Sequence, residues 1–167
     1  MKTFNTAILD LTVNIIDYLY RGRFFQRFWV LEVIARAPYF AFLSVLHFRE
    51  SLGLRTETHF YLMKEHFEQT VNETEHLQEM ERRGGADHWI DRFLAYHLVL
   101  VYYWSNVVYY LLAPKYAYHL AAEVEKHAVD TYYNYWRYHD TNDTRIQEIM
   151  EDEQKHYDEL LKAMEMI

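Results

Sequence analysis

The chain has 167 residues, enough for one domain with a buried core. Its 25 acidic residues outnumber 17 Lys and Arg, which argues against a nucleic-acid partner, and the absence of cysteine excludes disulfides, thiolate metal sites and cysteine nucleophiles. Only 4 Gly and 2 Pro interrupt the chain, so long helices are expected, whereas an aromatic content of 18% needs its own explanation.

Helix breakers divide the chain into six segments, and the sequence therefore predicts an all-α fold. Pro38 is expected to kink the second helix or to be absorbed by its neighbours. Asp87 is expected to cap the fourth helix, and Pro114 to open the fifth. The predicted helices cover about Phe4–Tyr20, Phe24–Leu52, Glu57–Arg83, residues 88–113, Pro114–His139 and, after the cap-forming run 141–144, residues 145–166.

The N-terminal segment lacks the continuous apolar run of a secretory signal, because Asp10 interrupts Ala7–Ile16. No linker or internal repeat is visible. We therefore expect residues 1–167 to form a single domain. In this interpretation residues 1–22 form an N-terminal interfacial helix and residues 23–167 form a bundle that includes the apolar helix 88–113.

The fourth helix contains Phe93–Ala113, which has no Asp, Glu, Lys or Arg. At roughly 1.5 Å per residue this stretch is about 31 Å long, enough to cross a hydrocarbon core. It is rich in Tyr and Trp, which prefer the membrane interface. A helix lying in the interface fits as well as a spanning helix. A buried core helix is the third interpretation.

Acidic residues occur in apolar surroundings on several predicted helices. Glu32 lies within the run Phe28–Ile34, where an unpaired carboxylate is costly to bury. An ion pair with Arg36, four residues later, is the plain alternative. Glu125 is flanked at helical spacing by small apolar residues, and its alternative is a solvated charge beside Lys126.

Two Glu-x-x-His pairs add to these acids, one on the third helix and one on the sixth. Glu73 and His76 share a helical face because they are three residues apart, and Glu153 and His156 repeat the spacing. Apolar residues at helical spacing surround both pairs. The alternative for each His is a surface or satisfied histidine.

Together these residues form a recognisable ligand set. One Glu from each of two helices and a Glu-x-x-His from each of two others is the ligand set of di-iron carboxylate four-helix bundles. Four carboxylates neutralise two Fe(II) ions, and imidazoles complete the coordination while leaving positions open for O2. The sequence therefore predicts a ferritin-like four-helix bundle with a di-iron centre, plus additional membrane-interfacial helices.

Longer segments resemble the alternative oxidases, most closely their plastid and cyanobacterial branch, the plastoquinol terminal oxidases. The mitochondrial members have three glutamates where this chain has Glu125-Lys126-His127, and the plastid-type branch matches better there. The similarity extends from about Arg23 to the end. The matching segments are Arg27–Phe40, Asn72–Leu77, Asp91–Ala95, Ala117–His119, Val124–Ala128, Thr131-Tyr132 and Asp152–His156.

The resemblance implies a one-leaflet, interfacial membrane enzyme that oxidises quinol and reduces O2 to water without pumping protons. It implies Tyr132 as a tyrosine close to the irons, implicated in oxygen chemistry. Asn72 and Asp152 are expected to hold the ligand imidazoles from outside. The implied quinol-pocket residues are Arg27, Leu31, Ala128 and Thr131. The implied ligands of the two Fe ions are Glu32, Glu73, His76, Glu125, Glu153 and His156.

The expected partners are plastoquinol or ubiquinol, O2 and a lipid membrane of thylakoid or bacterial inner membrane type, with no nucleic acid. The family often dimerises, so a homodimer is one expected assembly. The alternatives are another membrane-associated di-iron enzyme, such as a quinone-ring hydroxylase, an iron-storing bundle, and a non-enzymatic membrane-surface helical protein. The aromatic excess is interpreted as a lipid-facing surface that includes Phe24, Phe25, Phe28, Trp29, Tyr39, Phe40, Phe42 and the Tyr102–Tyr110 group.

Overall fold

A computed structural model describes residues 2–167, which form helices and no strands. The predicted all-α class is confirmed, and the helix ends lie within two residues of the predicted ones. The six helices are α1 (Lys2–Leu19), α2 (Phe24–Ser51), α3 (Glu57–Arg82), α4 (Trp89–Leu112), α5 (Pro114–Tyr138) and α6 (Thr144–Met166).

Helices α2, α3, α5 and α6 form a bundle, with α2 packed on α3, α5 on α6, and α3 on α6. Two apolar clusters fill its opposite ends. One contains Phe28, Tyr132 and Ile149, and the other contains Phe42 and Leu160. Each of the four helices contributes to both clusters, so the middle of each helix lies between the two apolar clusters. The predicted ligand residues fall in that middle region.

Helix α2 is the core helix, and this overturns part of the predicted lipid-facing surface. Its side chains contact α3 on one side and α4 on the other, which leaves little of it for lipid. Pro38 is buried within the helix, which continues on both sides of it. The predicted lipid-facing residues that are instead buried are Phe28, Trp29, Tyr39, Phe42 and, on α4, Tyr110.

Among the described residues, α2 is also the one helix that is long and apolar enough to cross a membrane. Its most apolar stretch has a mean hydropathy of 1.5, but 67% of that stretch is buried inside the protein. A buried core helix satisfies the same test, so this finding is weak evidence for a membrane span. Helix α4, predicted to lie in or across a bilayer because its stretch from Phe93 onward has no charged residue, does not meet the test.

Helix α4 lies on the outside of the bundle against α2 and α5. Its buried residues are few, so the interpretation of α4 as a buried core helix is wrong. The expected cap at Asp87 is also wrong, because the helix begins at Trp89 and His88 occupies the cap position without a side-chain cap bond.

Helix α1 packs along α5 and is fastened at both ends by polar contacts. Near its start, the Asn5 amide donates to the Tyr116 carbonyl at 2.8 Å and accepts from the Tyr109 hydroxyl at 2.8 Å. Beyond its end, Arg23 pairs with the buried Asp91 of α4. These contacts join α1 to both α4 and α5 and hold it against the bundle.

Candidate metal centre

Six buried side chains with metal-binding groups meet at the middle of the bundle. Helices α2 and α5 contribute one Glu each, and α3 and α6 contribute a Glu and a His three residues apart. None of the six is more than 3% exposed. The structure thus brings together all the residues predicted as iron ligands, namely Glu32, Glu73, His76, Glu125, Glu153 and His156.

The six side chains form two overlapping sets of four. Within each set, one ligand atom from every residue lies within 4.8 Å of the others, close enough to surround one metal ion. Glu73 and Glu153 belong to both sets, as expected for carboxylates shared by two neighbouring ions. The first set is Glu32, Glu73, His76 and Glu153, and the second is Glu73, Glu125, Glu153 and His156.

Several carboxylate oxygens of this cluster lack a hydrogen-bond partner among the described residues. They are both oxygens of Glu73 and Oε2 of Glu32, Glu125 and Glu153, although Oε1 of Glu73 lies 2.8 Å from Nδ1 of His156 as an ion pair. A buried carboxylate oxygen without a partner is costly, because burial removes its water. Metal cations would satisfy these oxygens, and a carboxylate-rich set with two imidazoles suits iron or another transition metal. The donor chemistry therefore fits the predicted metal centre.

Burial and the crowding of carboxylates change the pKa values of the acids in the metal-free cluster. Burial, together with the charges of Glu153 and Glu73, raises the pKa of Glu32 well above its usual range. Burial and the same two charges raise the pKa of Glu125 in the same way. Without metal, Glu32 and Glu125 therefore retain protons at pH values where a solvated glutamate is ionised.

The pKa values of the two imidazoles are raised as well. Burial alone would lower their pKa, but contacts with Asp152, Glu153 and Glu32 raise that of His76 to about 11. Contacts with Glu153 and Glu73 likewise raise the pKa of His156 to about 10. Both imidazoles are therefore protonated on both nitrogens at neutral pH in the metal-free protein. A metal ion that binds to either imidazole must displace one of these protons.

Asp152 supports His76 from outside the cluster. Its Oδ2 lies 3.1 Å from Nε2 of His76, while Nδ1 of the same ring lies 3.0 Å from Oε1 of Glu153. The amide of Asn72 donates to the same Asp152 oxygen at 3.2 Å. Of the two expected supporting residues, Asp152 therefore contacts an imidazole directly, whereas Asn72 hydrogen-bonds to Asp152. This arrangement aims Nδ1 of His76 at the cluster.

Two tyrosines donate hydrogen bonds to the cluster from opposite sides. The hydroxyl of Tyr132, the residue predicted to lie close to the irons, donates to Oε1 of Glu32 in a short hydrogen bond. The hydroxyl of Tyr39 donates to Oε1 of Glu125 at 2.6 Å. Tyr39 was predicted to face lipid, yet it is fully buried. Its position seven residues after Glu32 places both on one face of α2, a signal available in the sequence.

The plain alternative for Glu32 was an ion pair with Arg36. The structure does not form that pair, and Nε of Arg36 has no hydrogen-bond partner among the described side chains. Instead Oε2 of Glu32 lies 3.8 Å from Nδ1 of His76, within the cluster. The carboxylate therefore points toward the other acids and not along its own helix.

An apolar cavity of about 360 Å³ reaches this cluster from the side of α1 and α4. Glu32 and Glu153 lie on its wall, which is otherwise almost entirely apolar. Leu31 and Ala128, two of the predicted quinol-pocket residues, also line it. No motif in α1 indicated that this helix would form part of the wall. The α1 residues in the wall include Ile8, Thr12, Ile15, Ile16 and Leu19.

A second cavity of about 310 Å³ is more polar and lies beside the first. The other two predicted pocket residues, Arg27 and Thr131, line this second cavity. Arg27 donates to Asp17 of α1 at 2.6 Å, and Thr131 lies 3.3 Å from Nε2 of His127. The four predicted pocket residues are thus divided between two cavities. His127 lines both and joins them.

Comparison with known proteins places the chain beside quinol oxidases. The family model for alternative oxidase matches residues 4–155. A curated protein of Arabidopsis thaliana, ubiquinol oxidase 4, chloroplastic/chromoplastic, is 47% identical over 128 residues, or 77% of this chain and 36% of that protein. The chain therefore spans little more than a third of that relative. No solved structure matches the chain.

Proposed function

The chain belongs to the alternative oxidase family, and on that premise we propose that it oxidises quinol and reduces O2 to water at a non-haem di-iron centre. One observation carries the proposal. Two overlapping sets of buried carboxylates and imidazoles lie at the inner end of an apolar cavity. A site for redox metals and a site for a hydrophobic reductant therefore adjoin each other.

Two irons held by the six clustered residues would supply electron transfer from quinol to O2. Glu73 and Glu153 would be shared between the ions, since each belongs to both sets. Glu32 and His76 would complete one site, and Glu125 and His156 the other. Asp152 would hold His76 in its ligating orientation through Nε2. Two quinols supply four electrons and four protons, which balances the reduction of one O2 to two waters.

The apolar cavity is the proposed quinol site. Its aliphatic wall suits a quinol ring and the start of an isoprenoid tail, which gain by leaving water. Leu31 and Ala128 would contact the bound quinol in the apolar cavity. Arg27 and Thr131 would hydrogen-bond to a quinol hydroxyl from the second, more polar cavity. His127, which lines both cavities, would lie between these two groups of residues.

Tyr132 is the proposed catalytic tyrosine. Its hydroxyl proton lies on the hydrogen bond to Oε1 of Glu32, and Glu32 itself lines the cavity. The pair can therefore hold or pass a proton between the quinol site and the cluster. Phe28 packs against the Tyr132 ring, with ring centroids 4.7 Å apart, and fixes its orientation.

The membrane is the proposed source of the quinol, with the enzyme bound to one leaflet of a thylakoid or bacterial inner membrane. The cavity is walled by Leu94 and Leu98 of α4 and by Ile15 of α1, and these side chains are also exposed on the outer surface. Trp89 and Trp104 on α4 are exposed as well, as expected of an interfacial helix. We propose that residues 1–167 act as one domain that lies on the bilayer by this face.

The experiment measures O2 consumption by the purified, iron-loaded protein in lipid vesicles, with plastoquinol and ubiquinol analogues compared. The expected result is quinol-dependent O2 uptake with two quinols oxidised per O2. A quinone-ring hydroxylase would instead yield an oxygenated ring, which mass spectrometry of the product detects. Absence of quinol-dependent uptake in protein that holds two irons would refute the proposal. A protein that binds no iron at all would favour the non-enzymatic alternative.

A further inference from the structure

A chain of hydrogen bonds crosses the core beside the metal cluster and outside it. The hydroxyls of Tyr110 and Tyr118 lie 2.7 Å apart, and the Tyr118 hydroxyl lies 2.8 Å from Nε2 of His66. Nδ1 of His66 lies 2.8 Å from Oε1 of Gln69, whose amide donates to Glu159 at 3.0 Å. The first four residues are buried, and the chain joins α4, α5, α3 and α6.

These contacts determine which atom donates at each step. Because the Gln69 amide nitrogen donates to Glu159, its carbonyl oxygen accepts from Nδ1–H of His66. Nε2 of the neutral ring is then an acceptor, and the Tyr118 hydroxyl donates to it. Burial lowers the pKa of His66 to about 4, although its contact with Gln69 opposes this. The Tyr118 hydroxyl proton therefore points at Nε2 of a neutral imidazole, which can act as a base.

Aromatic rings connect this pair to a candidate metal ligand. Tyr39 donates to Glu125 at 2.6 Å, and its ring centroid lies 6.0 Å from that of His66. Phe42 gives a parallel connection, with ring centroids 6.4 Å from Tyr39 and 4.9 Å from Tyr118. Ring contacts of this kind run without a gap from the metal cluster to Tyr118.

We propose that Tyr118 and His66 form a redox-active pair, in which Tyr118 loses one electron as its phenolic proton moves to Nε2 of His66. The O–H bond of Tyr118 breaks and an N–H bond forms on His66. The electron passes to a high-potential one-electron oxidant, and return of one electron and that proton restores the pair. Gln69 accepts from the protonated ring at Nδ1, with Glu159 behind it, and so stabilises the imidazolium.

The role of the pair rests on the proposed function. Under that function, two irons held by the six clustered residues would supply the oxidant, Tyr39 and Phe42 would connect it to Tyr118, and a quinol would restore the electron. The pair then supplies one electron when O2 reaches the centre before a quinol does. The pair itself does not depend on metal, so it can be tested in the metal-free chain.

The first experiment oxidises the metal-free full chain with a photoexcited ruthenium polypyridyl and a cobalt(III) electron acceptor, followed by freezing and electron paramagnetic resonance. Residue 118 is replaced by 3,5-difluorotyrosine, whose fluorines split the signal of a radical located there. Exposed tyrosines such as Tyr18 and Tyr138 are also oxidised, but their radicals decay by reaction in solution. The expected result is a persistent radical with fluorine splitting. A persistent signal without that splitting would overturn the proposal.

Three variants separate a redox role from a structural one. Tyr118→Phe and His66→Gln are expected to lose the persistent signal, since the first lacks the phenol and the second keeps an acceptor without a base. Tyr110→Phe removes the other hydrogen bond of Tyr118 and should retain the signal. An unchanged radical in His66→Gln would contradict the pair. If that variant does not fold, nitrogen-15 labelling of histidine must show imidazole coupling to the radical, and its absence is equally contradictory.

The second experiment exposes the iron-loaded protein to O2 without quinol. The expected result is the same fluorine-split radical at residue 118, and its absence would overturn the role assigned to the pair. This outcome is distinct from failure of the proposed function, which shows as missing quinol-dependent O2 uptake. The photochemical result does not depend on either measurement.

Discussion

Without bound metal, the stability of the protein is expected to fall as pH rises. In the metal-free protein His76 and His156 retain protons up to pKa values of about 11 and about 10, whereas the unfolded chain loses them near 6.5. A group with a raised folded-state pKa contributes stability that is complete below the unfolded value and lost as pH rises toward the folded value. The loss therefore begins near pH 6.5 and continues through the alkaline range.

The size of the effect follows from the number of groups involved. Each imidazole removes up to about 1.4 kcal/mol of unfolding free energy per pH unit in this window. Between pH 6.5 and about pH 8.5 the two imidazoles together remove up to about 5 kcal/mol, a large part of a typical domain's stability. Glu32 and Glu125, with raised pKa values, act in the same direction from lower pH. Glu153 has a lowered pKa, so its contribution is lost only in acid.

Thermal unfolding in mild detergent tests this expectation. Chelator-treated and iron-loaded samples are compared at pH 6.5, about 7.5 and about 8.5. The metal-free midpoint should fall steeply, while the loaded midpoint should not, because metal replaces the protons on both imidazoles. Calorimetric titration with metal at neutral pH should also release at least the two imidazole protons. Equal pH dependence in both samples would refute the reasoning.

Three further outcomes are expected. Tyr39→Phe removes the donor to Glu125 and should lower metal affinity by about 10- to 100-fold in a competition titration, whereas Tyr61→Phe, which loses only an exposed contact with Lys162, should not. Val101→Glu on α4 should reduce cosedimentation with lipid vesicles while metal content stays unchanged. Phe67→Glu, at similar exposure on α3, should bind as before. A Cβ on Gly85 would lie 2.5 Å from the Phe25 carbonyl oxygen, so Gly85→Ala should lower the unfolding free energy by about 1–3 kcal/mol in denaturant titration, and an unchanged midpoint would contradict that close approach.

Much of the helical architecture could be predicted from individual residues at the helix ends. Gly22, Gly53 and Gly84 follow α1, α2 and α3 closely, each with a positive φ, and Pro114 begins α5 at its first turn. The resemblance to the plastid branch of the alternative oxidases is confirmed by the family match and by the chloroplast relative. The prediction that Asp87 caps α4 was wrong, because the helix begins two residues later, at Trp89.

The spacing of Glu73 and His76, repeated by Glu153 and His156, placed both pairs on inward helical faces, where the structure has them buried. Ligand identity stays a prediction, since four acids can also meet as a crowded proton-sharing cluster. The misassigned aromatics failed for a clear reason. The sequence around Tyr39 does not distinguish a side chain that faces lipid from one that faces a carboxylate. The packing of α2 between α3 and α4 determines which of the two Tyr39 faces.

The cavities could not be derived from single helices. Leu31 and Ala128 line one cavity and Arg27 and Thr131 line the other. Residues of α1 line both cavities, and α1 carries no motif that marks its place. The buried pair of His66 and Tyr118 was missed for a similar reason. The two residues are 52 positions apart, and no spacing rule within one helix connects them.

The most direct test of the metal centre is a crystal structure of the iron-loaded protein with anomalous diffraction measured at the iron edge. The predicted result is two anomalous peaks inside the bundle, one among Glu32, Glu73, His76 and Glu153 and one among Glu73, Glu125, Glu153 and His156, with Glu73 and Glu153 contacting both. A single peak, or no peak between these side chains in protein that contains iron, would contradict the account.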